Sequence, residues 1–300
     1  MSVFFLGVSG GLLAALMQSC AYLCGRRYLA RYNNSTELTF CSLAITGIAA
    51  LMMAPFVLQT ENLFSWRMLL FILMTDAGLV AGHWGFFSAQ KYIESSRIAS
   101  LMGLKVLIVV LLAIVLLHEK FTLLQYTAML GTVAAGVLIN YSQGKLQWQG
   151  MGYLAVTLVG YAFSDLGIQL VVGEIGSGGP ITKGLSGFVT NYGPVGLAAL
   201  LCLKPLKIDR KKFAAALPQG ICWIMSMLGL YVSFGLLGAA FGNVLQASRG
   251  IISLILGIII SYFAVNNPDE EKQSAVVWLR KAAAALLMFG AITLYAMTKR

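Results

Sequence analysis

The sequence predicts an all-α membrane protein of ten transmembrane helices arranged as two inverted five-helix repeats. Three observations carry that expectation. Of the 300 residues, 59% are hydrophobic and 11% are charged, against roughly 25% charged in an average soluble domain. Apolar runs of about 20 residues, each long enough to cross a hydrocarbon layer of roughly 30 Å, follow one another along the chain. The segment that ends the third run and enters the fourth also aligns without gaps on the segment that ends the eighth and enters the ninth.

The spans fall near Val3–Leu23, Leu38–Leu58, Met68–Phe87, Ile98–Leu117, Leu123–Tyr141, Gly152–Val172, Leu185–Leu203, Ala214–Leu236, Ala240–Phe263 and Val277–Met297. The first run has no basic segment before it and no small-x-small cleavage site after it, so it reads as a retained span and not a removed signal. The connections are short. Glu174 to Lys183, with Gly176, Gly178, Gly179 and Pro180, reads as a flexible turn, Lys204 to Lys212 as a basic loop, and Asn266 to Lys272 as a polar surface loop.

The formal charge is +10, which in a soluble protein would suggest nucleic acid. Here most basic residues lie in the connections, where topology explains them, so the expected partner is the lipid bilayer and no nucleic acid is expected. Arg26, Arg27, Arg31, Lys91, Arg97, Lys145, Lys204, Lys207, Arg210, Lys211, Lys212, Lys272, Arg280 and Lys281 fall on one side, against Arg67, Lys120, Lys183, Lys299 and Arg300 on the other. Basic residues near span ends resist translocation, so both termini are expected on the periplasmic or exterior side of a cell inner (plasma) membrane. Cys20, Cys24, Cys41, Cys202 and Cys222 lie in or near apolar segments and read as reduced packing residues.

A shift of about 144 positions sets Gly85 on Gly229, Gly85–Leu107 on Gly229–Ile251, and Lys105 on Arg249. A weaker match, at a slightly smaller shift, sets Leu13–Tyr22 on Leu154–Phe163. The halves then divide at residues 1–145 and 146–300. An odd number of spans per half forces opposite insertion, the arrangement expected for alternating access around a midplane site.

In the first half, small residues enter the fourth span, Leu116-Leu117-His118-Glu119-Lys120 follows, then Leu123-Leu124-Gln125 and the glycines Gly131 and Gly136. This run resembles the EamA-type repeat of the drug/metabolite transporter superfamily, in which a Leu-Gly-Glu turn links the fourth and fifth helices. His118 stands where that glycine is usual, and in the second half the longer Asn266–Lys272 loop replaces the turn. The resemblance implies a carrier with a central cavity between the halves. The triose-phosphate translocator branch is similar in placing basic residues on its fourth and ninth helices to hold a phosphate. Lys105 and Arg249 occupy those helices here, with a single cation on the ninth where that branch has an adjacent pair.

At 1.5 Å per residue, Lys105 lies about 14 to 18 Å from either end of its span, and Arg249 is similarly central. An uncompensated cation at that depth costs at least about 2.5–3.5 kcal/mol. Either each is neutralised within the protein, with Asp76 and Asp165 as available carboxylates, or the two face a shared water-accessible chamber and clamp an anionic group. Gly242, Gln246, Arg249, Ser253 and Gly257 form one stripe, read as a cavity face or a close helix crossing. Asp76 and His83, seven residues apart, suggest a proton relay or a static pair. Tyr153, Thr157, Tyr161 and Asp165 recur every four residues, opposed by Gln18 and Tyr22 in the first span. Glu119 reads as a helix-end residue.

The expected substrate-binding residues are Lys105, Arg249, Gln246, Asn243, His83, Tyr161, Trp84 and Tyr231, with Asp76 and Asp165 as coupling groups. No phosphate-cradling GxxxxGK[ST] occurs, and His83 and His118 stand on different helices. No enzyme, catalytic residue, metal or cofactor is therefore expected. The expected activity is secondary transport of a small anionic or zwitterionic metabolite; the rivals are an exporter of amino acids or drug-like compounds and a flippase for lipids with phosphate headgroups. The sequence leaves the oligomeric state open, a monomer included.

Overall fold

A computed structural model describes residues 3–93, 95–141, 148–263 and 275–298. Among them the regular elements are helices: α1 (Val3–Tyr32), α2 (Ser35–Val57), α3 (Trp66–Ala89), α4 (Ser95–Leu101), α5 (Lys105–Leu117), α6 (Leu123–Tyr141), α7 (Trp148–Glu174), α8 (Pro180–Leu203), α9 (Arg210–Leu237), α10 (Ala239–Gln246), α11 (Arg249–Phe263) and α12 (Ala275–Met297). Among the described residues seven helices are long and apolar enough to cross a membrane, the fourth running through α4 and α5, and shorter apolar helices cover Leu123–Leu138 and Ala283–Met297. The protein is a multi-span all-α membrane protein. The expected division at 145/146 and the Asn266–Lys272 loop lie outside the described residues.

Local chemistry sets several helix ends. Asn34, Ser65 and Asp209 each accept a hydrogen bond from the backbone N–H three residues on, which starts α2, α3 and α9. Pro180, in the first turn of α8, needs no N–H partner there. His118 ends α5 in the left-handed region at φ 53°, the conformation for which glycine is the usual residue. Gly238 separates α9 from α10 at φ 81°, a backbone state open to glycine at no steric cost.

Several spans differ from the expectation, among them the seventh, which starts at Pro180 and not Leu185 and so takes in the end of the expected Glu174–Lys183 turn. The first span was expected to end at Leu23, but α1 continues to Tyr32, so Arg26, Arg27 and Arg31 are helical. The ninth span was read as one helix, yet it is broken at Ala247–Ser248, as the fourth is broken by a 3₁₀ turn at Met102–Leu104. Neither break contains proline; the prolines inside described helices are Pro55, Pro194 and Pro218.

Packing follows the repeat. The most extensive contacts join α1 to α9 and α3 to α7, pairs that exchange when the first and sixth, and third and eighth, spans are interchanged. The other large pairings, α2 with α8 and α6 with α12, map onto themselves. Glycine permits the close approaches. A Cβ on Gly229 would lie 2.6 Å from the Gly10 carbonyl oxygen, and one on Gly160 would lie 2.7 Å from the Gly82 nitrogen. Gly47 and Gly196 face each other Cα to Cα where α2 crosses α8. Association in lipid has little hydrophobic driving force, so such backbone contact is a main source of cohesion.

Candidate functional site

Both central cations stand at the same structural position. Lys105 is the first residue of α5 and Arg249 the first of α11, each immediately after the break in its span. At the ninth-span break Ser248, Gly250 and Ile251 donate to carbonyls three residues back, which tightens the helix into a 3₁₀-like turn. α4 packs on α11 here, and a Cβ on Gly250 would lie 3.2 Å from the Ser100 Cα.

The packing also fixes the register of the first and sixth spans. A Cβ on Gly229 points at the Gly10 carbonyl, and one on its repeat partner Gly85 points at the Tyr153 carbonyl. Residue 10 therefore corresponds to residue 153, Gln18 to Tyr161 and Tyr22 to Asp165. This corrects the weaker sequence match by two positions, since Tyr22 had been set on Phe163.

In that register the two half-sites are equivalent in place and different in chemistry. Lys105, 2% exposed, ion-pairs through Nζ with Asp165 Oδ2 and lies 5.7 Å from the Tyr161 ring centre. Arg249, 1% exposed, donates from Nη1 to Gln18 Oε1 at 2.5 Å, to Gln246 Oε1 at 3.0 Å and to Tyr22 Oη at 3.5 Å. Each cation thus lies against two residues one turn apart on the first helix of the opposite half. Among the described residues the carboxylate is paired with Lys105, and the groups around Arg249 are neutral. Arg249 Nε and Gln246 Nε2 are buried donors without an acceptor.

Lys105 and Arg249 line one cavity with Gln18, Tyr22, Tyr161, Asp165 and Trp223. Its volume is about 10 Å³, room for about one water. The expected water-accessible chamber is therefore closed in this conformation. A larger recess of about 740 Å³ opens at the ends of α5, α7 and α9, with Glu119, Gln169, Glu174 and Tyr295 in its wall. Gln169 closes its floor: Nε2 donates to Glu119 Oε1 at 2.9 Å, and Oε1 accepts from the Ala239 N–H at 2.6 Å. The next residue inward, Ile168, already lines the central cavity. At the other end Gln90 Nε2 ties the Tyr22 carbonyl at 3.0 Å to Ser95 Oγ at 2.9 Å, and Lys212 Nζ meets Glu37 Oε1 at 2.7 Å.

The remaining expected residues divide. His83 is buried, with Nδ1 3.1 Å from the Tyr161 hydroxyl and its ring edge-on to Trp223 at 4.4 Å. Asp76 instead lines a shallow apolar groove on the flank of α3, and its Oδ1 has no hydrogen-bond partner. No direct Asp76–His83 bond forms, because the imidazole is turned to the aromatic centre and the carboxylate to the flank. Trp84 lines the same groove, 39% exposed and packed on Tyr153, so it faces away from the cavity. Tyr231 accepts from Asn191 Nδ2 at 2.8 Å and packs on Phe188, outside the cavity wall. Asn243 is buried on α10, bonded to the Ala239 carbonyl, with Oδ1 unpartnered. Sequence reasoning missed Trp223, Gln90 and Gln169. Gln169 was within reach: it continues the four-residue stripe Tyr153, Thr157, Tyr161, Asp165 by one turn.

Broken spans, buried charge at the breaks and symmetric packing define a polytopic membrane protein. Residues 5–141 match the EamA-like transporter family. The match covers most of the first half of the chain and makes it similar to that family of small-molecule membrane transporters, within the drug/metabolite transporter superfamily. A solved crystal structure resembles it with a TM-score of 0.68 at 15% sequence identity, covering 97% of this chain and 96% of the other. That likeness extends the fold over both halves. No curated protein matches the sequence.

Proposed function

We propose that the protein is a secondary transporter of a small anionic or zwitterionic metabolite, working by alternating access between halves at residues 1–145 and 146–300 in a cell inner membrane. The observation that carries this reading is Arg249. Its guanidinium is buried at mid-span, shares a cavity with Lys105, and is surrounded by neutral oxygens with Nε unused. Holding such a charge in the membrane is costly, and an arriving anion offsets that cost. The closed cavity and the recess ending at Gln169 suit an occluded state in the transport cycle.

Purified protein reconstituted into vesicles and offered carboxylated and phosphorylated metabolites tests the reading. Uptake should collapse in Lys105→Ala and Arg249→Ala; undiminished uptake by both variants refutes the clamp. The Lys105–Asp165 pair favours, as a second reading, an exporter of amino acids or drug-like compounds, since half of the cationic charge is balanced internally. Uptake of a neutral amphiphile in place of anions would support it. The flippase reading gains nothing from the flank grooves, whose walls contain neither Lys105 nor Arg249.

A further inference from the structure

Resting on the Arg249 anion site just described, we propose that Asp165 fixes the charge class of the cargo by holding Lys105 out of direct contact with it. The site takes a small molecule with a single negative charge, seats its anionic group on Arg249 and Gln246, and leaves the Lys105–Asp165 pair intact.

The half-sites carry the argument. Asp165 occupies, against Lys105, the place that Tyr22 occupies against Arg249. One half-site thus contains a built-in anion, while the other contains a phenol that brings no charge. The fixed charges lining the closed cavity are Lys105, Arg249 and Asp165, a net of one positive charge, which a monoanion neutralises.

The unused donors point the same way. Arg249 Nε and Gln246 Nε2 are both buried and lack acceptors, and the two residues are one turn apart and already bonded through Gln246 Oε1. Two unused buried N–H groups, one on the cavity-lining Arg249 and one on the Gln246 bonded to it, can be answered by the two oxygens of one carboxylate. A dianion would have to reach Lys105 as well, and to do so it must part that ion pair and strand a buried carboxylate. Breaking a buried pair from one side is strongly unfavourable. A zwitterion would set its ammonium in competition with Lys105 for Asp165 and leave the site's positive charge unbalanced.

The test is ligand-dependent thermal stabilisation of the purified full chain in mild detergent, with probes matched in skeleton and differing in charge: propionate and succinate, L-lactate and L-malate, D-gluconate and D-glucarate. Stabilisation against probe concentration gives an apparent affinity. In any pair that binds, the monoanion should bind about 100-fold more tightly. Asp165→Asn frees Lys105, and the preference should fall below about 10-fold or reverse. Tighter binding of the dianion by the unaltered protein overturns the assignment of Asp165 and leaves the anion clamp standing. An unchanged preference in Asp165→Asn does the same. Binding of no anion from any pair overturns the clamp itself and this inference with it. If Asp165→Asn fails to fold, the comparison within pairs on the unaltered protein decides alone.

Discussion

The Lys105–Asp165 pair makes a sharp energetic prediction because both partners are buried at mid-membrane, 2% and 4% exposed. Lys105→Met leaves Asp165 with no cation to answer it, and a buried pair broken from one side typically loses about 3–5 kcal/mol. Asp165→Asn strands the ammonium in the same way. The double variant Lys105→Met/Asp165→Asn strands neither, and replacement of a buried pair by uncharged groups is often neutral or better. The two single losses should therefore not add: the cycle should show a coupling of about 3 kcal/mol or more, at the upper end for residues in contact. At about 2–4 °C per kcal/mol for a chain approaching this size, each single variant should melt roughly 6–20 °C lower, with the double variant close to the parent. Melting in detergent followed by size exclusion reads this directly. A double variant as unstable as the sum of the singles would refute the pairing. Arg249→Met provides the contrast, since it strands no carboxylate and should cost less than Lys105→Met.

Other perturbations probe the rest of the site. Arg249→Lys keeps the charge and loses the planar guanidinium, whose Nη1 meets both Gln18 and Gln246 and whose Nε is unused, so anion affinity should fall at least about tenfold with little change in melting, measured in the same thermal assay. Gly229→Leu drives a side chain into the Gly10 carbonyl at the α1–α9 crossing, and should cost on the order of 1–3 kcal/mol, read as a lower melting temperature. His118→Gly relieves a left-handed residue at the end of α5 and should raise stability by up to about 1 kcal/mol. Gln169→Ala removes both bonds that floor the recess, so a cysteine placed at Ser164, which lines the central cavity, should react faster with a membrane-impermeant thiol reagent.

Hydropathy alone makes the spans legible, because a lipid-facing helix carries its burial in composition and not in periodicity. The equivalence of Lys105 and Arg249 was legible too, since a buried cation is rare enough to mark register. What the sequence withheld were quantities set by neighbours. Asp76 and Asp165 are both mid-span carboxylates, and only packing turns one toward Lys105 and the other onto the flank. Helical spacing gives Trp84 and Tyr231 a face relative to their own helices, but not which face meets the centre. The breaks before Lys105 and Arg249 left no proline, and the glycines beside them, Gly103 and Gly250, are of a kind common in membrane helices that never break.

The repeat leads to one more prediction, about the two mouths of the pathway. Exchanging the halves maps Gln169–Glu174, in the recess wall, onto Arg26–Arg31, and Phe234–Gly238 onto Gln90–Glu94. One mouth is thus built with Glu119, Lys120 and Glu174 in its wall, a net of one negative charge, while the counterpart segments contain Arg26, Arg27, Arg31 and Lys91 against Glu94. Like charge repels an approaching anion and opposite charge concentrates it, with an effect screened over about 10 Å at 0.1 M salt. In the carrier reading, an anion should therefore meet a lower KM at the basic mouth than at the acidic one. Vesicles with the protein inserted in one known orientation, assayed for uptake from each face, measure the difference. Raising the salt from about 0.05 to 0.5 M should shrink it, because the Debye length falls. Charge-neutralising substitutions at Arg27 and Arg31 should raise KM from the basic side alone. Equal KM values from both faces at low salt would refute the idea that the mouths differ electrostatically.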